Sequence, residues 1–261
     1  NLLKNNNHDL HDIQQQLEEV IKNMVNWLQT IMFSNGDIPM VNDSTKGQAL
    51  EPQKVLDYAH QLGFKSHKTH LNDSGYRKFE FGDFEMVADV GDIGPTYQPG
   101  HAHSDTLNFV LYHKGNPIIV DRGVSTYENS ELRIEERSTQ SHNTVMLNSL
   151  EQSDIYNTFK VGKRAHPKVL KEKSDYLSAT HDGYKYLGLY HKRNWQTSAN
   201  EIRITDLVNN DIHIYRAAFH FHPNVHIKKM YNYTFKVNEL KIRFNFEGDL
   251  KIQNYKFSDG F

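Results

Sequence analysis

One feature limits the fold more than any other: the hydrophobic period changes near residue 72. Before it, Leu10, Ile13, Leu17, Val20, Ile21, Met24, Val25, Leu28, Ile31 and Met32 recur at spacings of three and four. That is the stripe of an amphipathic helix about six turns long. Asn35-Gly36-Asp37 stops it. Pro52 opens a second helix with Val55, Leu56, Ala59 and Leu62 inward and Gly63 as its stop. Two helices cannot bury such a stripe from both sides, so the pattern predicts the tail of a larger helical array.

Beyond residue 72 apolar and polar residues alternate. Phe79 and Phe81, then Phe84, Met86, Ala88 and Val90, recur at a spacing of two, with Glu80, Glu85 and Asp89 among the residues between them. Leu107, Phe109 and Leu111 lead to Lys114-Gly115-Asn116, and Pro117-Ile118-Ile119-Val120 follows, which predicts a hairpin. Further strands are expected around 143–148, 157–163, 187–196, 201–207, 212–222, 225–230 and 239–246. Strands at this spacing, without helices between them, predict an antiparallel β-sandwich. The fold class expected is α+β: helices over 1–71, then a large sandwich over 72–261.

Composition excludes several functions. Thirty Lys and Arg against 32 Asp and Glu give a net charge of −2, so no basic field exists to hold a nucleic-acid backbone. Cysteine is absent, which removes disulfides, iron–sulfur clusters, thiolate zinc sites and cysteine nucleophiles. No run of about 18 apolar residues predicts a membrane span. The start Asn1-Leu2-Leu3-Lys4-Asn5 has neither an initiator Met nor an apolar signal core. It reads as a processed chain or as part of something longer.

The chemistry is concentrated in Gly94-Pro95-Thr96-Tyr97-Gln98-Pro99-Gly100-His101-Ala102-His103-Ser104-Asp105. Positions i and i+2 of an extended chain face one side, so both imidazoles would share one space. Asp121 ends an apolar strand, and His142 stands just before another. A His/Asp/His set is an ordinary zinc shell. In a simple hairpin, however, Asp121 lies opposite Phe109, some 20 Å from His103 at about 3.4 Å per residue. The set assembles only if the histidine loop folds back, which spacing does not show.

The run GHAHSDTLNFVLYHKGNPIIVDRGVSTYE, followed by RSTQSHNTVMLN, resembles the heparinase II/III-like polysaccharide lyases. So do NDSGYRKFEFGDFEMVADVGDIGP and SNGDIPMVNDS. The resemblance implies an incomplete (α/α) toroid, of which 1–63 would be the last helices, followed by the antiparallel β-sandwich. It implies β-elimination on an acidic, uronate-containing polysaccharide, heparan-type first and alginate-like second. It makes His101 the catalytic histidine. His103, Asp121 and His142 become ligands of a structural divalent metal, zinc first. Tyr127, Arg122, Arg133 and Arg137 become substrate residues, the competing reading of each arginine being a solvated surface charge. His191, with Arg193, falls on a family strand that would reach the cleft. The toroid that carries the family's principal tyrosine and carboxylate neutraliser is the implied missing partner. A periplasmic or secreted location is implied too. Positive charge is expected in the cleft. The rival from another class is a non-catalytic, metal-stabilised glycan-binding module.

Other features read as structure. His213, His220, His222 and His226 fit a wet strand face, and His113 beside its turn is expected to be exposed. Glu135-Glu136 is placed in a loop, where adjacent side chains diverge, so a paired-carboxylate glycosidase is rejected.

Overall fold

The computed structural model describes residues 11–209 and 215–258. Leu10 of the helical stripe and His213 lie outside them.

Helix α1 (His11–Ile31) and helix α2 (Pro52–Gln61) form where the three- and four-residue spacing predicts. Proline occupies the first turn of α2, where its missing N–H costs nothing. Val25 of α1 and Met32 just beyond its end pack on Leu56, Ala59 and Phe64. Ile31 and Phe33 lie on Val87, Val110 and Tyr112 of the sheet beneath, with the Phe33 and Tyr112 rings stacked 3.8 Å apart. The earlier turns of α1 leave Ile13, Leu17, Val20 and Met24 between 45% and 64% exposed.

Two four-stranded antiparallel sheets follow. The first runs β1 (Tyr76–Phe81), β2 (Phe84–Asp89), β3 (Phe109–His113), β4 (Asn116–Ile119), in that spatial order. The β3–β4 hairpin turns at Lys114 and Gly115, both with positive φ, as the sequence predicts. The second sheet has the order β11 (Glu201–Val208), β10 (His191–Ser198), β9 (Tyr176–His181), β8 (Pro167–Lys173). Between the sheets come helix α3 (Glu131–Arg137), β5 (Val145–Leu147), and the short hairpin β6 (Ile155–Tyr156) and β7 (Lys160–Val161). Strand β12 (Tyr215–Ala217) pairs with β5. A three-stranded sheet of β13 (Ile227–Tyr231), β14 (Thr234–Val237) and β15 (Leu240–Arg243) completes the order.

The sandwich core joins Met86, Ala88, Phe109 and Leu111 of the first sheet to Leu177, Ala179 and Trp195 of the second, with Phe235 and Val237 from the third. Each large side chain so buried contributes about 1.5–3 kcal/mol. The inner face of the second sheet is divided. Leu177, Ala179 and Trp195 make an apolar end, whereas His181, His191, Arg193 and Asp206 make a polar end.

Several expectations change here. The 157–163 strand is a tight hairpin rather than one strand. Of the expected 212–222 strand, 212–214 lie outside the described residues, and 215–222 form β12 plus an isolated bridge from Phe221 to Ile119. Glu135 and Glu136 lie in α3, not a loop: Ser130 caps that helix by accepting from the Arg133 N–H. Glu136 is buried and accepts from Ser125, while Glu135 pairs with Arg122. His113 and His220 are buried rather than wet: His113 packs 4.6 Å from the Phe84 ring, and the His220 N–H donates to the Asn143 side chain.

Candidate active site

The histidine loop does fold back, and one residue makes the bend. Leu107, fully buried, has φ +65°, a conformation costing about 1–2 kcal/mol for a residue with a Cβ. Its carbonyl accepts from the Arg193 guanidinium at 2.9 Å, and the Asn108 N–H closes the turn on Asp105 at 2.9 Å. The Asn143 side chain then donates to the carbonyls of Phe109 and Val120, both at 2.9 Å. These bonds bring His103, Asp121 and His142 into one buried space, with the His103 and His142 rings 5.2 Å apart.

Asp43, which the sequence reading did not single out, organises the front of this space. Its Oδ1 accepts from Arg133 Nη1 at 2.6 Å and His103 Nε2 at 2.9 Å. Its Oδ2 accepts from Arg133 Nη2 and His101 Nδ1, each at 2.7 Å. Burial works against this carboxylate, yet the bonds from His103 and Arg133 hold it well below the usual range. Next to it, Asn42 accepts the His103 N–H and donates to the Tyr76 hydroxyl. The only sequence signal for this pair was the SNGDIPMVNDS resemblance.

His101 is 64% exposed. Its ring lies 5.9 Å from Tyr127 and 5.4 Å from Phe159. It faces a groove of about 630 Å³ whose lining includes Asn42, Asp73, Tyr76, Asp92 and Gln98. Burial, then the Asp43 charge, raises the Tyr127 hydroxyl, so it stays protonated at neutral pH.

The metal expectation meets a partial fit. Among the described residues, no three His, Asp or Glu side chains stand in a metal-binding group. Two donors are nonetheless ready: His103 Nδ1 and His142 Nε2 are buried with no hydrogen-bond partner. Their other ring nitrogens face carboxylates, Asp43 at 2.9 Å and Asp121 at 2.7 Å, which is how metal-binding imidazoles are oriented. Asp121 therefore stands as the partner of His142, and of Asn108 at 2.8 Å. Burial pushes against its ionised form, but His142 holds it below the ordinary carboxylate range. Asp121 in turn raises His142 against the effect of burial.

The arginines are neither substrate ligands at the surface nor solvated charges. Arg133 and Arg137 are fully buried. The first forks onto Asp43. The second donates to the carbonyls of Ala102, Asn157 and Thr158 at 2.8–3.2 Å. Arg122 is buried against Glu135, Ser141 and the carbonyl of Lys256. His191 is likewise enclosed, with Nε2 on Asp206 at 2.7 Å and Nδ1 3.3 Å from His181. The inward alternation of β10 places it inside the sandwich, not at the cleft. Among the described residues the groove lining includes no Lys or Arg, and Arg164 stands at its edge, donating to the carbonyls of Pro95 and Thr96.

No helix among the described residues is long and apolar enough to cross a membrane. An exo-oligoalginate lyase of Saccharophagus degradans (strain 2-40) is 35% identical over 103 residues, covering 34% of this chain and 14% of that protein. An alginate lyase of Stenotrophomonas maltophilia (strain K279a) is 35% identical over 80 residues, covering 27% of this chain and 10% of that protein. Among solved structures, the heparan sulfate lyase HepC from Pedobacter heparinus shares the fold at a TM-score of 0.57 and 21% identity, over 74% of this chain and 32% of that one. A heparinase III does so at 0.58 and 17%, over 86% and 37%. This chain thus spans well under half the length of each of these relatives. The family described as heparinase II/III-like, C-terminal, matches residues 65–261, three quarters of the sequence, and the chain belongs to it.

Proposed function

We propose that this chain is the C-terminal portion of a polysaccharide lyase that cleaves a uronate-containing polymer by β-elimination. The observation that carries the reading is His101: exposed on a groove, with Nδ1 fixed by a buried carboxylate, inside a family of lyases. β-Elimination breaks the C5–H and C4–O bonds of the uronate, forms a C4–C5 double bond, and returns a proton to the leaving oxygen. His101, through Nε2, is suited to take the C5 proton. Tyr127, protonated and adjacent, is suited to donate toward the leaving oxygen. A divalent cation, zinc first, would be held by His103 Nδ1 and His142 Nε2 with Asp121 orienting the latter, and would supply a fixed charge that pins the two loops.

Alginate-like polymer becomes the first substrate class and heparan-type the second, reversing the order that the sequence suggests. The sequence relatives are alginate lyases, and Arg122, Arg133 and Arg137 are committed inside the protein. A sulfated chain would need such cations free. The neutraliser of the substrate carboxylate would come from an (α/α) toroid ahead of the sandwich, over a boundary near residue 71. The exposed apolar stripe of α1 supports that neighbour. A periplasmic or secreted location goes with such a substrate.

The test is ultraviolet absorbance of the unsaturated uronate, with the longer protein that includes the toroid acting on alginate and on heparan sulfate. Signal on alginate that disappears in His101→Ala is expected. Glycan binding without any unsaturated product would favour the non-catalytic module instead.

A further inference from the structure

We propose that Asp43 is a positioning residue that fixes the ring tautomers of His101 and His103 together, presenting Nε2 of His101 to the groove and Nδ1 of His103 to the buried space. A carboxylate can only accept hydrogen bonds, and each oxygen of Asp43 faces one ring nitrogen and one arm of Arg133. Both ring nitrogens that face it must therefore carry the hydrogen. A neutral imidazole has one N–H, so the opposite nitrogen of each ring is a lone pair. For His101 that is Nε2, on the exposed side chain. For His103 it is Nδ1, buried and without a partner.

The carboxylate is not free to turn. Its side chain is 5% exposed, and the guanidinium that grips both oxygens is itself enclosed, 5.1 Å from the Tyr127 ring and 5.6 Å from that of Phe159. Fork-on-fork pairing of this kind fixes direction as well as distance. The neighbouring residue acts in the same sense, since Asn42 holds the backbone N–H of His103 at 3.0 Å. One loop after α1 thereby sets the orientation of two histidines that lie 58 and 60 positions later.

Assigning proton transfer to His101 rests on the lyase reading; the tautomers do not. The experiment is two-dimensional ¹⁵N–¹H correlation of the histidine side chains in this chain, stripped with a chelator and held at a pH where imidazole is neutral. His101→Gln and His103→Gln spectra assign the signals. The expected result is protonated Nδ1 for His101 and protonated Nε2 for His103. Asp43→Ala should release His101 to a mixture of both tautomers. A wild-type His101 protonated at Nε2, or an Asp43→Ala spectrum with His101 unchanged, overturns the proposal. The wild-type spectrum decides the matter even if the variant does not fold. Lack of lyase activity would sink the function and leave these tautomers standing, so the two failures are distinguishable.

Discussion

Replacing Asp206 with Ala tests how the polar end of the sandwich is held together. Arg193 is fully buried. Its Nε and Nη2 donate to the two oxygens of Asp206 at 2.6 and 2.8 Å, and Nη1 donates to the carbonyls of Leu107 and Asn143. Removing the carboxylate leaves a guanidinium enclosed between two sheets without its counter-charge, at a cost of about 3–5 kcal/mol. His191 loses its Nε2 partner in the same step. At about 2–4 °C per kcal/mol, the melting temperature should fall on the order of 10 °C. Urea denaturation gives the free energy, with Lys192→Ala on the outer face as a control expected within about 0.5 kcal/mol of wild type. Adding Arg193→Met to Asp206→Ala should recover part of the loss, since the unpaired charge goes with it. The loss should also reach the histidine loop, because Arg193 holds the strained Leu107 carbonyl. Amide exchange over 103–108 and 142–144 should rise in the single variant. A loss below about 1 kcal/mol would refute the reasoning: the guanidinium would then remain hydrated, and the sheets would not close over it.

The buried His181 should make stability fall on acidification. Burial keeps the His181 imidazole well below its ordinary range, with His191 adding to the effect. Its contribution is complete above about pH 6.5 and is lost as pH falls toward the lowered folded value, at up to about 1.4 kcal/mol per pH unit. Asp89 and Asp105, raised by burial, act in the opposite direction. The quantity to measure is therefore the difference between wild type and His181→Gln, and parallel pH curves would contradict it. Elemental analysis should find about one zinc per chain in wild type and none in His103→Ala; equal metal in both would remove His103 from the site. Gly75 has φ +79°, and a Cβ there would stand 2.2 Å from the Gly91 Cα. Gly75→Ala should cost at least about 1–3 kcal/mol, combining backbone strain and overpacking, and a neutral result by urea denaturation would show that the two loops are not in contact.

Amphipathic periodicity made the first two helices and the β1–β4 meander legible, because the core-facing residues of each recur at the period of their element, although β3 is buried on both faces, with the chain around the end of α1 covering Val110 and Tyr112. It failed at β8, an edge strand in which Lys168, Lys171, Glu172 and Lys173 dilute any alternation, and at β9, whose inward residues include the small Ala179. It failed again at α3, seven residues of which only Leu132 and Ile134 are apolar, held in place by the Ser130 cap and by two guanidiniums turned inward. Arg133 and Arg137 look like surface charges in sequence, since the groups that satisfy them come from residues 20–90 positions away. Spacing and strand ends singled out His101, His103, Asp121 and His142, the resemblance supplied the roles expected of them, and the structure places His103, Asp121 and His142 in one buried space with His101 joined to it through Asp43. Asp43 was not singled out: it lies within the SNGDIPMVNDS match, but nothing local distinguishes it from any other aspartate in a loop.

The long sequence separations at this site also govern when it can exist. Asp43 waits for an arginine 90 residues later, and Val124 for a serine 134 residues later. On a ribosome, the helices and the first two strands can meet while Arg133 is still unmade. During that interval the carboxylate remains in water and His101 is unfastened. Only after 255–258 has emerged can the strap across 122–124 close. Chain closures over such distances are slow, so the nascent protein should pass through a state with its sheets formed and its histidines still loose.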